Sequence, residues 1–344
     1  MFIIMDVHSS EADIQRVMDR IRELGFQPHP IHGDTRLAIG ITGNKDTSAR
    51  VYLESLPGVL QVIPISKPYK LASRETKPEN SIIDVKGVKI GGGNIVMIGG
   101  PCAVESRDQT LRITEKVAKL GAHILRGGAY KPRTSPYSFQ GLGEKGLEIL
   151  AEAREKTGLP VVTEVLDPAT APLVAQYADM LQIGTRNMQN FTLLKEVGKL
   201  GMPVLMKRGM AATLEETLMS AEYLLSHGTR DVVVCERGVR TFASHSRNTL
   251  DVSVIPAFKK ESHLPIIVDP SHSGGKRESV IPLSLAGIGA GADGLIVDVH
   301  DDPLNALVDG PQALLPEDFK ELMTVCMKVG SALNRPLSAV PKGS

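Results

Sequence analysis

Residues 94–106, NIVMIGGPCAVES, decide between two folds that share one rhythm. Ile95–Ile98 is a short apolar run with the composition of a strand, followed by a turn. In an open, doubly wound sheet the turn after the first strand usually carries a glycine-rich dinucleotide fingerprint, and GGPCAVES is no such fingerprint. Further apolar runs lie at His123–Leu125, Val161–Glu164, Met180–Ile183, Val204–Met206, Val232–Cys235, Ile266–Val268 and Gly294–Val297. Amphipathic segments separate them, among them Leu111–Leu120, Leu147–Lys156, Leu214–Leu225 and Phe319–Val329. Strands alternating with helices over about 250 residues predict an α/β fold, a (β/α)8 TIM barrel over residues 94–344.

Such barrels place their chemistry at the C-terminal ends of the strands. The residues there are, in order, Cys102, Arg126 with Lys131, Glu164, Arg186, Lys207 with Arg208, Glu236 with Arg237, Asp269 with His272, and Asp298 with His300. A barrel without an active site would put ordinary turn residues at several of these positions. Two sets separate by chemistry. Arg126, Lys131, Arg133, Arg186, Lys207 and Arg237 are cations that would repel one another in one barrel mouth, so the set predicts a multiply anionic ligand. Three of them share the loop LRGGAYKPRTSPYSFQGLGE, Leu125–Glu144, with Thr134, in a glycine- and proline-rich setting suited to phosphate. The second set, Cys102, His272, Asp298 and Asp309, offers a thiolate, an imidazole and two carboxylates. That mixture suits Mn, Fe, Co or Zn and not Ca or Mg. The alternatives are a buried apolar role for Cys102 and a hydrogen-bonded loop role for His272.

Composition excludes several classes. Lys+Arg and Asp+Glu each number 39 in 344 residues, so no global basic field points to nucleic acid or a membrane surface. Trp is absent, which removes a stacking platform for bases. Cys102, Cys235 and Cys326 are widely spaced and form no zinc or disulfide framework, in keeping with a reducing cytoplasm. The start, MFIIMDVHSSEAD, lacks the features of a signal peptide, and no run approaches the ~18 apolar residues of a membrane span.

Ahead of the barrel, Phe2–Met5 reads as a strand, and Ser10 with Asp13 as a capping box before a helix that Gly25 ends. Phe26–His32 and Leu37–Thr42 read as strands joined at Gly33-Asp34, followed by a helix near Thr47–Leu56 and a strand at Val59–Ile65. The order β-α-β-β-α-β predicts a ferredoxin-like unit over residues 1–66. Residues 67–93 read as a polar linker followed by a β-hairpin at Ser81–Ile90.

With these residues in hand, the chain resembles the type I-beta 3-deoxy-D-arabino-heptulosonate 7-phosphate (DAHP) synthases over nearly its whole length. The motifs are GGPCAVES at Gly99–Ser106, LRGGAYKPRTSPYSFQGLG at Leu125–Gly143, IGTRNMQN at Ile183–Asn190, LMKRG at Leu205–Gly209, CERGVRTF at Cys235–Phe242, VDPSHSGG at Val268–Gly275 and IVDVH at Ile296–His300. The resemblance implies condensation of phosphoenolpyruvate with erythrose 4-phosphate, a divalent metal and a homotetramer. It also implies control by tyrosine or phenylalanine through the N-terminal unit. Residue by residue, it assigns Arg126, Lys131, Arg186, Lys207 and Arg237 to phosphoenolpyruvate, and Lys131–Thr134 to the aldose phosphate. It assigns Cys102, His272, Asp298 and Asp309 to the metal. For proton handling the residues leave three alternatives, Lys131, Glu164 or a metal-bound water. The family most often has Glu where this chain has Asp298; the shorter side chain implies altered denticity or a bridging water, with His300 as a substitute donor. The sister 3-deoxy-octulosonate 8-phosphate synthases share the barrel but commonly carry Lys-Ala-Asn-Arg-Thr-Ser where this chain has Lys131-Pro132-Arg133-Thr134-Ser135. Two further alternatives are a Schiff-base aldolase using Lys131 or Lys207 and an effector-binding barrel without catalysis.

Overall fold

The structure is a computed structural model that describes residues 1–32, 36–43, 49–63 and 67–339. It divides into two compact units. The first takes in the residues up to Asn80 with Lys260–His263, and the second the remaining described residues.

In the first unit, β1 (Phe2–Met5), α1 (Glu11–Glu23), β2 (Gln27–His32), β3 (Leu37–Thr42), α2 (Arg50–Glu54) and β4 (Val59–Ile63) follow in the order expected. The sheet is antiparallel with strand order β2-β3-β1-β4. Ile3 and Met5 from β1, Val17 and Ile21 from α1, Ile39 and Ile41 from β3, and Val62 from β4 share one core. The capping box forms: Asp13 N–H donates to Ser10 Oγ at 3.2 Å, and Ser10 N–H donates to Asp13 Oδ2 at 3.1 Å. The predicted Gly33-Asp34 turn, the start of the second helix at Thr47 and the end of the last strand at Ile65 lie outside the described residues.

The second unit opens with a hairpin, β5 (Ile83–Val85) and β6 (Val88–Ile90). Eight parallel strands then close a barrel in sequence order: β7 (Val96–Gly100), β8 (Ile124–Arg126), β9 (Val161–Val165), β10 (Met180–Ile183), β11 (Val204–Lys207), β12 (Val232–Glu236), β13 (Ile266–Val268) and β14 (Gly294–Asp298). The helices between them include α3 (Arg107–Lys119), α4 (Glu144–Thr157), α5 (Ala171–Tyr177), α6 (Phe191–Lys199), α7 (Leu214–Ser226), α8 (Val254–Glu261), α9 (Pro270–Gly274) and α10 (Arg277–Gly289), and α11 (Pro316–Ala332) closes the series. Inward residues near the strand starts, such as Val96, Ile124, Val162 and Met180, join hairpin residues Ile83, Val85, Val88 and Ile90 in one apolar core. That core fills the N-terminal end of the barrel and leaves the C-terminal end to polar side chains. Six strands run one residue or more past the predicted apolar runs, and Arg126, Lys207, Glu236 and Asp298 are the last residues of theirs. The ladder holds the backbone of each, which fixes where its side chain starts.

Candidate active site

The C-terminal ends of the barrel strands surround a cleft of about 290 Å3. Its first feature is a cluster of donor atoms. Cys102 follows β7, and His272 sits on α9, a one-turn helix directly after β13. Asp269 caps that helix: His272 N–H donates to Asp269 Oδ1 at 2.9 Å, and His272 Nδ1 lies 2.9 Å from Asp269 Oδ2. The imidazole is thereby fixed with Nε2 turned to Cys102 Sγ at 3.9 Å and Asp309 Oδ2 at 3.4 Å. Cys102 Sγ lies 3.3 Å from Asp309 Oδ2. With Asp298, the four residues each offer one ligand atom, all within 4.8 Å of one another.

The donor set fits a divalent transition ion in two respects. Thiolate, imidazole and carboxylate together select such ions over hard cations. The second imidazole nitrogen rests on a carboxylate, which fixes the tautomer of a metal-binding histidine. Asp309 holds a left-handed backbone, φ 53°, seldom adopted by residues other than glycine, and Arg247 Nη1 donates to its Oδ1 at 3.1 Å. His300 is not a substitute donor. The strand stops at Asp298, and His300 turns to Gln109 Nε2 (3.1 Å) and Glu105 Oε2 (3.4 Å) while its Nδ1 accepts from Asp302 N–H (2.9 Å).

Electrostatics tie the cluster together. Burial alone would lower the His272 pKa, but the charges of Asp269 and Asp298 raise it to about 10. Burial would raise Asp269, yet His272 and Lys207 hold it well below the usual carboxylate range. Asp309 is likewise pulled far down against its burial, chiefly by His272 and then by Arg247.

The predicted cations all line the same cleft, but not as six free charges. Arg126 is ion-paired with Asp298, and Lys207 with Asp269. These carboxylates offset the repulsion that the sequence alone suggested. Lys131 Nζ donates to Cys102 O at 3.0 Å and Cys102 Sγ at 3.2 Å. Arg186 is exposed on a short turn, Thr185–Asn187. Arg133 is half-buried and Thr134 exposed at the rim. Arg237 is 4 % exposed, burial lowers its pKa, and its Nη1 is buried without a hydrogen-bond partner among the described residues. A buried guanidinium nitrogen facing a cleft calls for an anion.

Two glycines shape the walls. A Cβ on Gly128 would lie 2.7 Å from Lys131 Cδ and 2.8 Å from Cys102 O, so glycine there lets Lys131 fold back onto Cys102. A Cβ on Gly184 would lie 1.9 Å from Glu164 Oε1. Glu164, 7 % exposed, accepts from Gln182 Nε2 at 3.1 Å and lines the cleft beside the cations.

Residues 72–335 match the model of the DAHP synthetase I family, and residues 1–67 that of the DAHP synthase ferredoxin-like domain. The chain belongs to the DAHP synthetase I family. The similarity to one DAHP synthase relative spans both units: phospho-2-dehydro-3-deoxyheptonate aldolase of Thermotoga maritima is 51% identical over 97% of this chain and 98% of its own. A crystal structure of the phospho-2-dehydro-3-deoxyheptonate aldolase (DAHP synthase) of Thermotoga maritima superposes with a TM-score of 0.78 at 50% identity, covering 98% of each chain. A 2-dehydro-3-deoxyphosphooctonate aldolase of Syntrophobacter fumaroxidans is 32% identical over 70% of this chain and 88% of its own.

Within this family member, three contributors escaped sequence reading. Asp269 stood at a strand end without a role, yet it holds both Lys207 and His272. Arg247 lies in the polar run ASHSRN, which has no strand pattern to place it. Gln312 donates to Asp298 Oδ2 at 2.6 Å and accepts from Arg247 Nη1 at 3.0 Å. No spacing announces it, since 14 residues separate it from Asp298. The Schiff-base alternative is disfavoured at Lys207: burial would lower its pKa, but the ion pair with Asp269 raises it, and a charged ammonium is no nucleophile.

Proposed function

We propose that the barrel condenses phosphoenolpyruvate with erythrose 4-phosphate to give 3-deoxy-D-arabino-heptulosonate 7-phosphate and phosphate, with a divalent metal seated at the cluster of Cys102, His272, Asp298 and Asp309. One observation carries the reading: the thiol–imidazole–carboxylate cluster and the unpartnered Arg237 Nη1 face a single cleft. The 51% identity to the Thermotoga maritima aldolase and the Lys131–Thr134 spelling favour the four-carbon sugar. The three buried free cysteines fit a cytoplasmic setting. No helix among the described residues is long and apolar enough to cross a membrane.

When bound, the ion supplies Lewis-acid polarisation of the aldehyde oxygen. Arg126, Lys131, Arg186, Lys207 and Arg237 hold the phosphate and carboxylate of phosphoenolpyruvate, while Arg133 and Thr134 at the rim hold the distal phosphate of the sugar. Fixing both substrates in attacking geometry can lower the barrier by ~7–11 kcal/mol. Carbon 3 of phosphoenolpyruvate then bonds to the sugar aldehyde carbon, and water adds at carbon 2. Glu164 Oε1, set in the cleft by Gln182, is placed to take a proton from that water. Phosphate leaves with the former bridging oxygen as the ketone forms, and the guanidinium groups stabilise its charge. Bridging 18O in phosphoenolpyruvate is therefore expected to appear in the released phosphate; 18O retained in the sugar product would contradict the sequence of steps.

Gly184→Ala tests the placement of Glu164. The backbone at Gly184, φ −67° and ψ 157°, accepts alanine, so the effect is confined to the displaced carboxylate. We expect kcat to fall by about tenfold or more with little change in melting temperature. An unchanged kcat would remove Glu164 from proton transfer.

Metal binding should depend on pH through His272. Its folded pKa is raised to about 10, so in metal-free protein the ion pair with Asp269 stabilises fully below about pH 6.5 and is lost as pH climbs through 10. An ion at Nε2 displaces the proton, so affinity is expected to rise about tenfold per pH unit in that window. Chelator competition at pH 7 and 8 checks this, and a flat profile would contradict it.

The first unit is read as a feedback domain for tyrosine or phenylalanine, and the assembly as a homotetramer. The match of residues 1–67 to the DAHP synthase ferredoxin-like domain supports the former. Initial rates of the full chain unaffected by either amino acid would argue against it.

A further inference from the structure

The four donors around the cleft are not equivalent. Cys102 Sγ, His272 Nε2 and Asp309 Oδ2 form a triangle with edges of 3.3, 3.4 and 3.9 Å. Metal–ligand bonds of about 2.0–2.3 Å span such edges at angles of about 95–125°, so all three reach one ion with little movement. Asp298 is engaged elsewhere. Its Oδ1 is ion-paired with Arg126 Nη1, and its Oδ2 accepts from Gln312 Nε2 at 2.6 Å. Its approach to His272 is to Nδ1, at 3.7 Å, the nitrogen turned to Asp269 and not the one turned to the other donors.

Both partners of Asp298 are anchored. Arg126 Nη1 also donates to Pro101 O at 3.1 Å, and Gln312 Oε1 accepts from Arg247 Nη1 at 3.0 Å. Arg126 is 4 % exposed, and its Nε is buried without a hydrogen-bond partner among the described residues. Drawing Asp298 onto an ion would take the counter-charge from a buried guanidinium, and stranding a buried charge is unfavourable. The aspartate chain is also short. Being the last residue of β14, it starts from a backbone that the ladder fixes.

We propose that this chain holds its ion through three side chains, Cys102, His272 and Asp309, and that Asp298 meets the ion only through solvent. Its main service is to position Arg126 against the substrate. The proposal rests on the metal reading above. Three protein donors leave open positions for water and a substrate oxygen, as catalytic metal sites require. The Asp298 carboxylate then links the metal side of the cleft to its cationic side.

Cobalt binding to the full chain tests this, with affinity from chelator competition and the visible spectrum of the bound ion as readouts. Asp309→Asn is expected to weaken binding by on the order of a thousandfold and change the spectrum. Asp298→Asn is expected to weaken it by about tenfold, the scale of an outer partner, and to leave the spectrum unchanged. Because Arg126 loses its partner's charge, the same variant should raise KM for phosphoenolpyruvate more than it lowers kcat. Binding lost from Asp298→Asn as completely as from Asp309→Asn, or a shifted spectrum, would overturn the proposal. A crystal structure of the cobalt-loaded parent needs no variant: an Asp298 oxygen more than about 3 Å from the ion agrees, and a bond of about 2.1 Å overturns it. A parent protein that takes up no cobalt would overturn the metal reading itself and this proposal with it. Cobalt bound to the parent but released in Asp298→Asn would overturn the proposal alone.

Discussion

His272→Ala is expected to abolish metal binding and turnover together, lowering kcat/KM by at least about a thousandfold. The residue is central to the cluster. Its Nε2 faces Cys102 and Asp309, and its Nδ1 is held by Asp269. Removing the imidazole deletes one donor and leaves Asp269 with Lys207 as its remaining side-chain counter-charge. Metal content by mass spectrometry and steady-state rates check both halves. A variant that keeps its metal but loses activity would make His272 an acid–base group. One that keeps activity after losing its metal would end the metal reading.

Lys207→Ala carries the second large effect, on stability and on substrate binding. Lys207 is 5 % exposed; burial would lower its pKa, but Asp269 raises it. Removing one partner of a buried pair costs about 3–5 kcal/mol, because the other charge is left behind. His272 softens the loss by remaining on Asp269, so the lower end, about 3 kcal/mol, is expected in urea denaturation. Kinetically, KM for phosphoenolpyruvate should rise, or kcat fall, by more than about tenfold. Unaltered kinetics in a folded variant would remove Lys207 from the substrate site.

These two residues also show what the sequence makes legible. A barrel confines chemistry to strand ends, so locating the apolar runs was enough to nominate Cys102, Arg126, Glu164, Lys207, Arg237 and Asp298. The structure brings all of these to one end of the barrel. Pairing is another matter. Arg126 and Asp298 are 172 residues apart, and Lys207 and Asp269 are 62 apart. No periodicity reports such contacts; closure of the barrel creates them. The six cations therefore looked more repulsive in the sequence than they are in the fold. Arg247 and Gln312 were hidden for a different reason. Arg247 sits in an irregular loop and Gln312 on a short turn, where neither the helical nor the strand period gives direction. His300 misled because two residues past Asp298 share its face only if the strand continues, and β14 ends at Asp298.

The one-turn helix α9 escaped notice because five residues cannot display a helical period. Yet it is what aims His272. Asp269 caps the helix, accepts the His272 backbone N–H and steadies its ring, so one carboxylate sets both position and tautomer. Lys207 on β11 is ion-paired with the Oδ2 of that carboxylate. The donor-atom cluster and the cationic side of the cleft are therefore joined twice, through Asp269 and through Asp298.

The most direct test measures phosphate released from phosphoenolpyruvate by the full chain, with erythrose 4-phosphate or arabinose 5-phosphate as the aldose. The assay is run on chelator-stripped protein and again after addition of manganese, cobalt or zinc. Phosphate release that needs the metal and runs faster with the four-carbon sugar is the predicted result. Full activity in the stripped protein, or faster release with the five-carbon sugar, would contradict it.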